Sequence, residues 1–211
     1  MKQSLFSSDI KEAEILEKVL DKEIYPYIFK TFDRKTDLKS QKLGIDIVCN
    51  NVNVDEKAQI KYKNSPLPTQ AFEVNFLSNR GSQEKLGWFL NNDLETQVYA
   101  IISIVKADVK SQKEPIKKVE QIEELEILYV PKKKLQRMIL EKIDRDTIFS
   151  TAKKMRKKEL PKSTTINSIK FVYTDFLAEK PVNIVVHKKD LPISKKIIWK
   201  KDKGVEVFKK Y

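Results

Sequence analysis

The chain has 211 residues, 40% of them apolar and 34% charged, with a formal net charge of +12, which is enough for one sizeable core or for a domain with an extension. One cysteine, Cys49, excludes an internal disulfide, and with a single histidine, His187, there is no Cys/His set for structural zinc. No apolar run approaches the roughly 18 residues of a spanning helix, and MKQSLFSSDIKEAEILE has charges where a signal peptide needs its apolar centre, so a cytoplasmic protein with no membrane partner is expected.

Residues 8–25 predict the first helix, with Ser8 or Asp9 as N-cap and Ile10, Ala13, Ile15, Leu16, Val19, Leu20 and Ile24 as its apolar set. Glu17 lies about 50° from the mean apolar direction, nearer than Glu12, Glu14 or Glu23, and is the acid expected to face inward, with Glu14 as the second choice. Residues 26–41 read as a connector in which Pro26 ends the helix and Asp33, Arg34 and Asp37 sit on a surface loop.

The central stretch, Lys42 to Asn75, predicts three strands. Side chains alternate along a strand, so Leu43, Ile45 and Ile47 share one face while Gly44, Asp46 and Val48 share the other. In the second segment Val54, Glu56, Ala58, Ile60 and Tyr62 oppose a polar face of Asp55, Lys57, Gln59 and Lys61. The third sets Phe72, Val74 and Phe76 against Glu73 and Asn75. Each strand thus carries a carboxylate on its polar face.

Beyond a turn at Arg80 and Gly81, GWFLN (87–91) is short and apolar, its Trp88 a packing residue or a base-stacking one. QVYAIISIVKA (97–107) suits a strand covered on both faces. Residues 108–122 loop out, 124–130 form a strand, and 131–143 a helix with Pro131 in its first turn, where lysines 132 to 134 either face a phosphate or are solvated. Further on, 166–174 and 182–187 read as strands, the latter ending at a structural His187.

The charge is uneven. Residues 1–150 carry 25 Lys/Arg against 24 Asp/Glu, and residues 151–211 carry 17 against 6. Such a concentration reads as the footprint of a polyanion, nucleic acid being the commonest. Lys153, Lys154, Arg156, Lys157 and Lys158 form the candidate nucleic-acid contact, although a lysine-rich coding bias gives the same count.

An Asp at the end of one strand, followed about ten residues later by Asp-x-Lys in the next, resembles the PD-(D/E)XK nuclease superfamily, with Asp46 as first acid and Asp55-Glu56-Lys57 as the (D/E)xK element. Ile45 stands where that pattern usually has Pro. A Gln59-Ile60-Lys61 frame is the alternative. The resemblance implies an α/β (α+β mixed-sheet) protein with a restriction-endonuclease-like core, a first helix followed by a mixed sheet flanked by helices. The resemblance covers roughly residues 10–145, and with the break in charge it gives a nuclease-like core (1–150) and a basic extension (151–211) packed on the same domain.

By the same resemblance the activity is that of a Mg2+-dependent (or Mn2+-dependent) endonuclease, acting on DNA rather than RNA. Asp46, Asp55, the Glu56 main-chain carbonyl and Glu17 would be metal ligands, with Asp46, Asp55 and Lys57 catalytic, and Gln59 and Glu73 supporting them. A homodimer suits the cutting of both strands of a duplex. The competing reading is a non-catalytic nucleic-acid- or protein-binding module on the same fold.

Overall fold

The first helix begins the fold. In the computed structural model, which describes residues 4–78 and 83–209, α1 spans Ser4–Val19 and continues through a π-helical turn, Leu20–Ile24, into α2, Tyr25–Ile28. Pro26 does not stop it: the residue follows directly on the π-helical turn, whose widened ring, with the Tyr25 amide bonded to Leu20 O, accommodates a residue without an N–H. Leu16, Val19, Leu20 and Ile24 are 3% exposed or less, each contributing about 1.5–3 kcal/mol by burial. The turn expected at Arg80 and Gly81 lies outside the described residues.

Two compact units make up this α+β chain, and neither is continuous. Met1–Leu67, Thr96–Pro131 and Ile193–Tyr211 form the first; Pro68–Glu95 and Lys132–Pro192 form the second. These boundaries differ from the 1–150 and 151–211 division expected from charge, because the final strands return to the first unit's sheet. No helix among the described residues is long and apolar enough to cross a membrane.

In the first unit a mixed sheet of seven described strands runs in the order β1 (Phe32–Arg34), β2 (Ile47–Cys49), β3 (Val52–Ala58), β6 (Val98–Ala107), β7 (Ile122–Pro131), β11 (Lys195–Lys200), β12 (Gly204–Lys209). β3 and β6 pair in parallel and the other neighbours antiparallel. As its apolar run implies, β6 is buried on both faces: Tyr99, Ile101 and Ser103 on one, Ala100, Ile102 and Ile104 on the other, all at 1% exposure or less. The second of these faces joins the helix stripe in one core.

The inward acid of α1 is Glu12, not Glu17. Glu12 is 6% exposed and accepts from Lys63 Nζ at 2.7 Å and from the Ile116 amide at 3.1 Å. Glu17 keeps 45% of its side chain exposed. A mean apolar direction registers hydrophobicity alone, whereas burial of an acid follows its partner, here a lysine 51 residues away.

In the second unit, β4 (Thr69–Leu77), β5 (Glu84–Leu86), β8 (Ser163–Ile166), β9 (Ile169–Tyr173) and β10 (Val182–His187) form an antiparallel sheet ordered β5-β4-β10-β9-β8. The third strand of the central stretch therefore belongs to a different sheet from the first two. Trp88 packs on Phe72, ring centroids 5.7 Å apart. Gly87 is required at its position, since a Cβ there would come within 2.3 Å of the Glu73 carbonyl oxygen.

Helices α4 (Lys132–Leu140) and α5 (Arg145–Arg156) complete this unit, α5 capped by Asp144 accepting from the Thr147 amide at 2.7 Å. Lys132 does not face a phosphate: it is 5% exposed and donates to the carbonyls of Asn91 and Leu94.

Candidate active site

The site is set by two local devices. Asp37 caps α3 (Leu38–Lys42), and the helix ends in a Schellman motif: Gly44, at φ +69°, donates to Gln41 O and Ile45 donates to Ser40 O. Gly44 supplies the left-handed turn that a side chain would strain, and Thr96 Oγ1 holds its carbonyl at 2.6 Å. The chain therefore enters β2 in a defined direction, with Asp46 as the last residue before the strand.

The second device is the turn between β2 and β3. Asn50 and Asn51 both have positive φ, 48° and 65°, as a two-residue type I′ hairpin requires. That turn locks Cys49 opposite Val52 and Ile47 opposite Val54. The ladder ends at that pair; the Asp46 amide also reaches Val54 O, at 3.0 Å, and the Asp46 carboxyl is hydrogen-bonded to that of Asp55. Two carboxylates face each other on one side of the hairpin, while Ile45, Ile47, Cys49 and Val54 are buried.

Directly opposed like charges destabilise a sheet unless something compensates them. Three features do so in part. Lys57 Nζ lies 2.6 Å from Asp55 Oδ1, and the Glu56 amide donates to Asp46 Oδ2 at 2.7 Å. The third is protonation: burial pushes the Asp55 pKa up to about 7 against the pull of Lys57, and Asp46 adds to the rise through its charge and a carboxyl–carboxyl hydrogen bond. Asp55 is 3% exposed and sits beside Tyr99 on the parallel strand β6. Burial, and then the charge of Asp55, hold the Tyr99 hydroxyl neutral.

Glu56 points to the other face. Its carboxylate accepts from Arg34 Nη1 at 2.8 Å and from the Tyr25 hydroxyl, and Arg34 also grips Asp21 through two 2.7 Å hydrogen bonds. The Glu56 side chain is thereby committed, which leaves its main-chain carbonyl as the oxygen it could offer a metal. Arg34, expected on a surface loop, is on β1 with its side chain 14% exposed. Its signal was the apolar Phe32 two residues before it, which makes Phe32-Asp33-Arg34 a short strand with Arg34 on the inward face. Tyr25 and Tyr99 carried no comparable sequence signal.

Glu17 stands at the margin of this group, 4.0 Å from Arg34 Nη1. Its pKa is raised, first by burial and, against Arg34, by Glu56, Asp21 and Asp46. Gln59 follows the end of β3 and caps a 3-10 turn, Ile60–Tyr62, its amide donating to Ile102 O. Lys61, in that turn, pairs with Asp9 at 2.9 Å. The strand alternation stops at Ala58, so the geometry joins Lys57, and not Lys61, to the acid pair.

Glu73 is a correction. Its strand β4 pairs with β5 and β10, whereas β3 pairs with β2 and β6, so Glu73 is not beside Asp55 on a shared sheet surface. Of the basic run, Lys153, Lys154, Lys157 and Lys158 are exposed at the end of α5, but Arg156 turns inward, 8% exposed and 3.3 Å from Glu84. It is not a surface contact for a phosphate backbone.

Among the described residues no group of three His, Cys, Asp or Glu side chains is assembled to hold a metal ion. The donor set at the hairpin is thus two facing carboxylates with main-chain oxygen, all hard ligands of the kind magnesium and manganese take. Burial first, and then the charge of Asp46, make ionised Asp55 costly, and a divalent cation held by both carboxylates would offset that cost. No family model, no curated protein and no solved structure matches the chain.

Proposed function

We propose that the chain is a metal-dependent nuclease with a restriction-endonuclease-like core, acting in the cytoplasm and hydrolysing phosphodiester bonds, DNA in preference to RNA. The observation that carries this reading is the contact of the Asp46 and Asp55 carboxyls with Lys57 Nζ 2.6 Å from Asp55. Asp46 and Asp55 would hold Mg2+ or Mn2+, joined by the Glu56 carbonyl. Bound there, the cation would supply charge compensation for the phosphoryl group and a water acidic enough to attack near neutral pH.

The chain's own residues do the rest. Asp55 would serve as a ligand in its ionised form, its proton passing to solvent. Lys57, on the same strand face, has the reach to carry its ammonium to a phosphate oxygen while the backbone stays in place. Arg34 and Tyr25 fix Glu56 from the opposite face, and so fix the strand that bears both Asp55 and Lys57.

Metal binding tests the reading. Mn2+ at a hundred times its dissociation constant should stabilise the wild type by about 2.7 kcal/mol, seen as a rise in Tm, and should not stabilise Asp46→Asn or Asp55→Asn. An equal rise in all three proteins would remove the metal from this hairpin. A non-catalytic nucleic-acid-binding module is the second reading, favoured by the small donor set of two side-chain carboxylates. It would bind DNA without cutting it.

A further inference from the structure

In the second unit, a pocket of about 650 Å³ opens where the end of α5 meets β9 and the loop before β10. That size lies within the range of small-ligand sites. Its wall includes four cations, Arg156, Lys158, Lys162 and Lys180, against two acids, Glu159 and Asp175, together with Tyr173. Lys162 is paired with Asp175 at 2.6 Å. Among the described residues Lys158 and Lys180 form no ion pair.

Arg156 is the most buried of the four cations, its side chain 8% exposed, and its Nε makes no hydrogen bond. Nη1 approaches Glu84 at 3.3 Å, and Nη2 donates a long 3.4 Å bond to Lys180 O. Burial lowers its pKa from the ordinary guanidinium value despite Glu84 and Tyr173 nearby. The pocket wall therefore includes a buried guanidinium held by Glu84.

The backbone gives an independent sign. Lys158 and Lys180 both have positive φ, 63° and 44°. Lys158 follows the C-cap Lys157 of α5, with its amide bonded to Met155 O and the Glu159 amide to Lys154 O, so it occupies the C′ position where glycine is preferred. A lysine at a left-handed position costs conformational energy that glycine would not. Two such lysines border one pocket. The two residues that follow the lining residue Asp175 in sequence are exposed, Phe176 at 81% and Leu177 at 48%.

We propose that this pocket holds a single-stranded segment of nucleic acid, Lys158, Lys162 and Lys180 taking the phosphate and Phe176 stacking on an unpaired base. Aromatic faces of this kind accept any base once it is unstacked, and lysines around them follow the backbone. The inference rests on the reading of the chain as a nucleic-acid enzyme and adds the strand form that it engages, at a place built by the second unit alone.

The test is anisotropy titration of a labelled 12-nucleotide single-stranded DNA, and of the same sequence as a duplex, in EDTA at several salt concentrations. The full chain is compared with a Lys158→Gly, Lys162→Ala, Lys180→Gly variant, in which glycine relieves both left-handed positions and the fold is kept. Its single-strand salt slope should fall by about 0.7 for each phosphate that the variant no longer neutralises, with no drop in Tm. Phe176→Ala should weaken single-strand binding about tenfold and leave duplex binding nearly unchanged.

A control with Lys110→Ala, Lys113→Ala and Lys117→Ala, exposed in the first unit, should leave the slope unchanged. An equal fall in the control, an equal fall for duplex and single strand, or an unchanged slope in the pocket variant would overturn the proposal. Because binding is read without metal, failure of the hairpin as a nuclease site leaves this result standing, and the reverse also holds.

Discussion

Two lysine–carboxylate pairs in the first unit have nearly the same length and opposite meanings. Lys63 and Glu12 meet at 2.7 Å, Lys57 and Asp55 at 2.6 Å. The first pair is balanced, one cation for one anion, with the Ile116 amide adding a donor. The second has a surplus anion, Asp46, and its Asp55 is pushed up to about 7. What separates a structural ion pair from a candidate reactive one here is net charge, since the distances are alike and both carboxylates are buried.

The largest effect should come from breaking the balanced pair. Lys63→Met leaves Glu12 buried and unpaired and should cost about 3–5 kcal/mol in a urea melt. Adding Glu12→Gln should recover much of it, because two neutral groups need no mutual compensation. Arg34→Met comes next, stranding a Glu56 that is 8% exposed, at about 2–4 kcal/mol. A cost under about 1 kcal/mol in either single variant would mean that water reaches these groups and that the contrast with Asp55 is overstated.

At the surplus pair the sign reverses. The folded pKa of Asp55, about 7, lies above its ordinary value of 3.8. The folded state therefore holds the proton more tightly, and stability falls as pH rises from about 4 to 7 and is level above. Asp55→Asn should then raise stability at pH 8 by about 1–3 kcal/mol and change it little at pH 4. Urea melts at both pH values check this, and a variant less stable at pH 8 would place Asp55 with the structural pairs. Smallest of all, Lys61→Ala removes an exposed ion pair and should shift Tm by no more than about 1 °C.

Much of the first unit was legible because its information is local. The period of two assigns Asp46, Asp55 and Lys57 to one face and Glu56 to the other, and the structure keeps that assignment. What joins the two acids, however, is the register of an Asn50-Asn51 turn, and the Schellman end of α3 sets the entry to β2.

Long-range choices were not legible. Nothing in the alternation of Phe72, Glu73 and Val74 says that β4 will leave the sheet of β3 for β10, more than a hundred residues later in sequence. Glu12 and Arg34 were misplaced because their burial depends on partners elsewhere, Lys63 for one, Asp21 and Glu56 for the other. Charge counts carry no direction, so the basic run looks uniform in sequence. At the end of a helix, Arg156 turns in while its neighbours turn out.

The most direct test is a cleavage assay in Mg2+ and in Mn2+ on single-stranded and duplex DNA, comparing wild type with Asp46→Asn, Asp55→Asn, Lys57→Ala and Lys61→Ala. The account predicts that wild type and Lys61→Ala cut at similar rates, that both Asn variants are inactive, and that Lys57→Ala drops about a hundredfold or more in turnover while still binding substrate. Cleavage by Lys57→Ala at the wild-type rate, with Lys61→Ala inactive, would contradict it and move the chemistry off the Asp46/Asp55 hairpin face.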